Sequence, residues 1–347
     1  MHRISITLLC LLYLFTSLIP PITAQEADME ALVRSEALLD TFTQITIYPN
    51  DANSQEAMDQ AFNYIVEMAE LFSEFEEGTD ISKVNQAAGQ NPVKVQPQTF
   101  ELVEFGLQHS EKFNQIFDIS IGAISYPWKM ASDKKTIPDP DVIEENLPLV
   151  DYQQVELDHQ AQSIFLKKAG MRLDLGAIAK GYIADGIAKI LKDKGINSAI
   201  INLGGNLVLI GAKATSQKAW KVGIQNPGKD TGSIVGSLPI TDQTVVTSGI
   251  YERYVEVDGQ PYHHILDPQT GYPLDNKLAA ITIIANQSLL ADTYSTIVFS
   301  MGLEKGLDFV NKEDELEAIF ITKDNQIYLS QGIDDFQLLD DLYQIAN

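Results

Sequence analysis

The chain has 347 residues, 45% hydrophobic and 21% charged, with a formal net charge of −24 at pH 7. That apolar share supports a real core in one large domain or two intimate ones. The acidic balance excludes partners recognised through bulk attraction to phosphate backbones or anionic lipid, so no nucleic acid is expected. A single cysteine, Cys10, excludes a disulfide framework.

The first residues are laid out as an export signal. His2 and Arg3 precede an apolar run over 4–19, then the helix-breaking Pro20-Pro21 and the small-residue end Ile22-Thr23-Ala24. The run falls short of the roughly 20 apolar residues that span a bilayer. The expectation is a signal peptide over 1–24 with a retained anchor as the alternative. One domain over 25–347 follows, exported to a bacterial periplasm or cell envelope, with no membrane span in the mature chain. Cys10 lies inside the run rather than at its end, which is not the lipoprotein pattern. After cleavage no thiol remains as nucleophile or metal ligand.

Residues 43–48 alternate polar and apolar and stop at Pro49-Asn50, which predicts a half-buried strand. Ala57, Ala61, Phe62, Ile65, Met68 and Phe72 share one stripe of a helix predicted over 54–75. Pro97 opens a second helix, to about Phe113. Residues 128–148, with Pro138, Pro140 and Pro148, read as a polar surface excursion. Strands at 154–157 and 163–167 predict a hairpin. A compact unit comes next: strand 171–173, turn 174–176, and a helix over 177–194 stopped by Gly195. Strands are expected at 198–203 and 206–211 around Gly204-Gly205, then at 221–225, 232–239, 243–247, 254–257 and 280–285. Helices at 288–301 and 304–310 are divided by Gly302. Strands outnumber helices without regular alternation, which argues an α+β fold.

Four segments carry unusual local chemistry. In Asp174-Leu175-Gly176-Ala177-Ile178-Ala179-Lys180-Gly181-Tyr182, a glycine turn opens a helix whose first N–H groups and lysine could attract phosphate. A plain strand–helix corner, with Asp174 as an N-cap, is the other reading. Asn202-Leu203-Gly204-Gly205-Asn206 is either a tight turn or a place where backbone approaches a ligand. In the segment from Tyr262 to Pro273, His263 and His264 point in different directions along an extended chain, so they do not ligate one metal together. One of them could accept a proton, or both could be surface residues. Asp292 and Thr296 stand four apart on one helix face. They offer two hard oxygen donors suited to Mg²⁺, unless Asp292 simply stabilises the helix start.

The motifs are more specific together. The 174–182 segment, Asn202–Asn206, Thr247-Ser248-Gly249-Ile250-Tyr251-Glu252-Arg253-Tyr254, the 264–273 segment and Ala291-Asp292-Thr293-Tyr294-Ser295-Thr296 follow in order. They are preceded by Phe72-Ser73-Glu74-Phe75, the 80–85 segment and Phe117-Asp118-Ile119-Ser120-Ile121-Gly122. Over residues 38–310 the chain resembles the ApbE family of FAD:protein FMN transferases. The resemblance implies mixed or antiparallel sheets with flanking helices, and FAD as substrate in a central cleft. It implies Mg²⁺ held by the Ala177 carbonyl, Asp292 and Thr296. Leu39, Phe75, Ile116, Phe117, Asp118, Asp174, Lys180 and Leu266 would contact FAD, and His264 and Lys180 would serve catalysis. The implied reaction moves FMN onto a threonine of an acceptor flavoprotein subunit of a membrane redox complex, of the Na⁺-pumping NADH:quinone oxidoreductase or Rnf type, and releases AMP. The chain departs from the family where Leu39-Asp40-Thr41 replaces the frequent Met-Gly-Thr, and where Asn206 replaces a frequent aspartate. An Mg²⁺-dependent FAD pyrophosphatase or a non-catalytic exported FAD-binding protein would use much of the same site.

Overall fold

The structure, a computed structural model, describes residues 30–346 apart from Thr231. The expected signal segment and Cys10 lie outside the described residues. Seven α-helices occur among the described residues: α1 (Ala52–Phe72), α2 (Asp80–Gln86), α3 (Pro97–Lys112), α4 (Gly122–Ser132), α5 (Pro140–Asn146), α6 (Ala179–Asp193) and α7 (Ser288–Val310). None is long and apolar enough to cross a membrane.

A nine-stranded sheet organises the molecule. Its strands run, in both chain order and spatial order, Leu32–Leu38, Thr41–Ile47, Ala199–Leu203, Asn206–Ile210, Thr244–Gly249, Leu278–Ala285, Leu316–Thr322, Gln326–Leu329 and Gln344–Ile345. Every pairing is antiparallel except the last, which is parallel. The sixth strand, Leu278–Ala285, is buried at all its positions, because both faces of the sheet are covered there. Ile281 and Ile283 join the main core beneath α1, α6 and α7, whereas Ala280 and Ile284 face a second core. That second core is closed by a three-stranded sheet of Trp220–Gln225, Ile234–Ile240 and Gln337–Leu338. This is the expected α+β architecture, with antiparallel sheets and flanking helices.

Most predicted elements lie within a few residues of their expected limits. Helix α7 runs over both predicted helices and breaks at Gly302, whose φ of 74° and ψ of 179° are not helical. Two expectations fail. Residues 128–148 are not a polar excursion but contain the end of α4 and all of α5. Pro140 starts α5, where its missing N–H costs nothing, and Asp139 caps the helix by accepting from Asp141 N–H. Ile124, Trp128 and Ile143 form an apolar cluster of their own there. Residues 171–173 do not make a strand. A single parallel bridge joins Arg172 to Ile121, and the buried Asn85 amide stands in for a strand neighbour. Its Oδ1 accepts Leu173 N–H at 2.7 Å and its Nδ2 donates to Leu173 O at 3.0 Å.

Asn85→Ala should therefore strip two buried backbone groups of their partners just before the Asp174 turn. The expected loss is about 1–3 kcal/mol or more, read as a lower denaturant midpoint. An unchanged midpoint would mean that Leu173 finds other partners.

Candidate active site

The turn into α6 is built by Asp174. Its N–H donates to Ile119 O at 2.9 Å, Oδ1 accepts Gly176 N–H at 2.7 Å, and Oδ2 accepts the Ser125 hydroxyl at 2.6 Å. This is an Asx turn rather than a cap, since α6 begins only at Ala179. A helical Gly181 N–H would bond the Ala177 carbonyl four residues back. It instead donates to Asp292 Oδ2 on α7 at 2.9 Å, which releases the half-buried Ala177 carbonyl from that bond. A Cβ on Gly181 would lie 2.5 Å from Ser288 O and 2.7 Å from Leu289 Cα, so only glycine lets the two helices come this close. Lys180 Nζ donates to Gly176 O at 3.2 Å and lies 3.8 Å from Asp292 Oδ1.

On α7, Asp292 is 4% exposed and Thr296 stands one turn further on, half-buried. Neighbouring hydroxyls are spent inside the protein. Thr293 donates to Leu289 O, Ser295 to Asp292 O, and Ser300 to Thr296 O. Asp292 does not stabilise its own helix start. That role falls to Asp185 on α6, whose two carboxylate oxygens accept Ser288 N–H at 2.8 Å and Leu289 N–H at 2.9 Å. Burial raises the Asp292 pKa above the usual carboxylate value, while Lys180 and the Gly181 N–H act in the opposite direction.

The two histidines do different things, as the extended chain implied. His263 is buried, and its Nε2 pairs with Leu274 O at 2.9 Å while Nδ1 accepts Ile265 N–H. His264 Nδ1 meets Arg253 O at 3.1 Å. A carbonyl only accepts, so this bond assigns the proton to Nδ1 and leaves the lone pair on Nε2. Burial, then the charges of Arg253 and Lys180, hold the imidazole down to about 4. Glu252 is pushed up to about 7 by burial, with Lys180 and Arg253 opposing and Asp292 adding to the rise. Both side chains keep an exposed surface while protein crowds them on the other sides, which is the position of a cleft wall. The Gly204-Gly205 turn borders the same space: a Cβ on Gly205 would stand 3.9 Å from Glu252 Oε1. Gly204, at φ 62°, lies against the Thr41 side chain, so the turn is tight and its missing Cβ makes room for Thr41.

The aromatic side of the site extends from Asp174. The Phe75 ring, 45% exposed, lies nearly parallel to Tyr126 at 6.0 Å, and the Arg172 guanidinium sits 3.9 Å from the centre of the Tyr126 ring. Arg172 also reaches Glu74 at 3.4 Å; burial, then the Asp174 charge, pushes Glu74 up to about 9 against the pull of Arg172. Leu266 is half-buried, bridges to Pro273 and packs on the Ile124, Trp128 and Ile143 cluster. The Gln269 amide donates to Gln115 O at 3.0 Å, tying the Leu266 loop to the 116–118 segment. Within that segment Ile116 is half-buried, but Phe117 belongs to the core. The Asp118 carboxylate is taken up by Ser120 N–H and hydroxyl and by Tyr152 N–H. Leu39, at φ 57°, sits at the hairpin tip next to Asp40 and Thr41.

The structure thus joins Asp174, Lys180 and Asp292 with the released Ala177 carbonyl at one corner, sets Thr296 one turn along α7 and His264 within the field of Lys180, and turns Phe117 and the Asp118 carboxylate inward. Sequence reasoning missed Asp185, Glu252, Tyr126 and the Glu74–Arg172 pair. Asp185 had a signal: it lies four residues after Gly181, on the same face of α6. Arg172 had none, being the middle residue of what read as a strand.

Oxygen donors beside an ammonium and a neutral imidazole suit the transfer of a phosphoryl-linked group. The class this defines is a group-transfer enzyme. The sequence profile of the ApbE family matches residues 39–320, and the chain belongs to that family. It is 39% identical over 290 residues to an FAD:protein FMN transferase of Klebsiella pneumoniae (strain 342), covering 83% of this chain and 89% of that one. A second FAD:protein FMN transferase, from Treponema pallidum (strain Nichols), is 33% identical over 316 residues, with 87% of each chain covered. The crystal structure of the ApbE protein from Thermotoga maritima MSB8 superposes with a TM-score of 0.79 at 29% identity, over 87% of this chain and 97% of that one.

His264 should remain neutral down to about pH 4. Its folded value lies below the ordinary 6.5, so its contribution to stability is intact above about 6.5 and is lost as pH falls toward about 4. A proton NMR titration of the ring checks this; a midpoint at or above 6.5 would contradict the crowded, cation-flanked placement.

Proposed function

We propose that this protein transfers FMN from FAD to a threonine of an acceptor flavoprotein, with AMP as leaving group and Mg²⁺ as the required cation. The observation that carries the reading is the α6–α7 crossing, where Gly181 N–H goes to Asp292 and the Ala177 carbonyl is left beside it.

The donor set fits the cation. Asp292, the Thr296 hydroxyl and the Ala177 carbonyl are hard oxygen donors with a single carboxylate among them. Mg²⁺ is bound in this way, with the remaining positions left to water and substrate phosphates. Asp292 is buried with one ammonium 3.8 Å away, so a second positive charge is favourable there. When bound, Mg²⁺ supplies positive charge that offsets the pyrophosphate and the departing AMP oxygen.

The chain's own residues do the rest. Lys180, braced by Gly176 O and Asp292, holds a fixed positive charge toward the pyrophosphate. Asp174 shapes the turn beneath it, and Phe75 with Tyr126 offers a flat face to the isoalloxazine ring, with Ile116, Leu266 and Leu39 at its edges. The threonine oxygen forms a bond to the FMN phosphorus as the bond from phosphorus to the AMP oxygen breaks. The hydroxyl proton passes to His264 Nε2 and the electron pair leaves on AMP. His264 is neutral at physiological pH and so is in the form that accepts a proton. The acceptor is a subunit of a membrane redox complex, met on the exported side.

Incubation with FAD, Mg²⁺ and a threonine-bearing flavoprotein subunit tests the reaction. Covalent flavin fluorescence on the acceptor together with AMP is expected. Free FMN and AMP without labelling would mean a pyrophosphatase, and intact bound FAD would mean a carrier. Asp292→Ala should abolish turnover. His264→Ala should slow transfer by about 10²–10⁴-fold while sparing FAD binding; unchanged transfer would remove the base assignment.

A further inference from the structure

Helix α7 brings two of the three proposed cation ligands, yet nothing at its own N-terminus caps it. Gln287, the residue at the cap position, makes no side-chain cap bond. Two N–H groups of the first turn are met by Asp185, which belongs to α6 and uses both oxygens, at 2.8 Å to Ser288 and 2.9 Å to Leu289. One turn earlier on the same face of α6, Gly181 sends its N–H the other way, to Asp292. Each helix therefore bonds the other through a carboxylate, and the two bonds are separated along both axes. A single bond would leave α7 able to pivot about the contact at Gly181. Two such bonds fix its rotation and its slide along α6. Rotation and slide are the two quantities that decide whether Asp292 and Thr296 face the Ala177 carbonyl.

We propose that Asp185 is a positioning residue for the cation site. It is not one of the proposed ligands; together with the Gly181–Asp292 bond it holds α7 at the rotation and slide that present Asp292 and Thr296 to the cation. The proposal rests on the Mg²⁺ reading above. Loss of Asp185 would leave the crossing to the Gly181–Asp292 bond and Lys180, so α7 could pivot about that contact and Asp292 and Thr296 would no longer be held in one orientation toward the cation. The helix itself would stay docked, because the Ser288 hydroxyl donates to the buried Asn206 at 2.6 Å and the apolar face of α7, with Ile297, Val298 and Phe299, remains in the main core. Groups that orient metal ligands without touching the metal are worth roughly 10–100-fold in metal affinity.

The test compares wild type with Asp185→Ala and Asp185→Asn. Mg²⁺ is titrated by calorimetry in the presence of FAD, and labelling kinetics are measured as a function of Mg²⁺. Asp185→Ala should raise the half-saturating Mg²⁺ about 10–100-fold. At saturating Mg²⁺, kcat and the KM for FAD should return to wild-type values. Asp185→Asn keeps one accepting oxygen and should fall between. A purely structural role would lower the melting temperature and leave Mg²⁺ half-saturation where it was; that result in a folded variant overturns the proposal. If Asp185→Ala does not fold, Asp185→Asn decides on the same criterion. A wild-type protein with no Mg²⁺ response at all would instead remove the cation reading itself, and this proposal with it.

Discussion

The close approach of α6 and α7 at Gly181 is the constraint on which the site depends. Two helices packed through ordinary side chains stand roughly 8–10 Å apart, too far for a backbone N–H of one to reach a short carboxylate of the other. Removing the side chain at Gly181 brings the backbone of α6 against Ser288 and Leu289. The Gly181 N–H then bonds to Asp292. A carbonyl at Ala177, an ammonium at Lys180, and a carboxylate and hydroxyl on α7 come together as a consequence. The nine-stranded sheet serves this crossing as a floor: both helices lie on its main core, and the strand Thr244–Gly249 leads directly into Glu252 and Arg253.

A protein with a net charge of −24 that handles a dianionic pyrophosphate must solve its electrostatics locally. Bulk attraction is absent, so the site concentrates its positive charge. Lys180 lies next to Asp292, and Arg172 is held between Glu74 and the face of Tyr126. The acidic groups nearest these cations are crowded by protein. Burial raises Glu252 toward 7 and Glu74 toward 9, which cuts the negative charge beside Lys180 and Arg172 at neutral pH. The same crowding keeps His264 neutral. One physical effect, desolvation at the walls of the cleft, thus acts on both the acids and the base.

Much of this could be read from the order of residues, and the reasons for the exceptions are physical. Helices α1, α3 and α6 follow from 3.6-residue apolar spacing; α7 is apolar on most sides and was legible as a helix between Ser288 and the Gly302 break rather than from a stripe. Asp292 and Thr296 were legible because four residues is one helical turn. Adjacent residues in extended chain face opposite ways, so the two histidines were legible as doing different things, while the choice of His264 came from the family motif. Helices α4 and α5 were not legible, since Pro127, Pro138 and Pro140 look like breakers until Pro140 is placed at a helix start. The 171–173 segment looked like a strand because Met171 and Leu173 are buried, yet its partner is the side chain of Asn85, far away in sequence. Phe117 and Asp118 lie in the motif region but serve the core and a loop clamp, which only tertiary contacts reveal. Arg172, Tyr126 and Glu74 meet across three separate segments, and no local pattern predicts such a meeting.

The central claim is that the cation is held where α6 crosses α7, by one carbonyl, one carboxylate and one hydroxyl. Anomalous diffraction from crystals grown with FAD and Mn²⁺ in place of Mg²⁺ tests it most directly. The account predicts a single strong peak bounded by the Ala177 carbonyl, Asp292 and Thr296, on the side of α6 that carries Lys180. A peak at another set of residues, with that position empty in crystals that bind FAD, would contradict it.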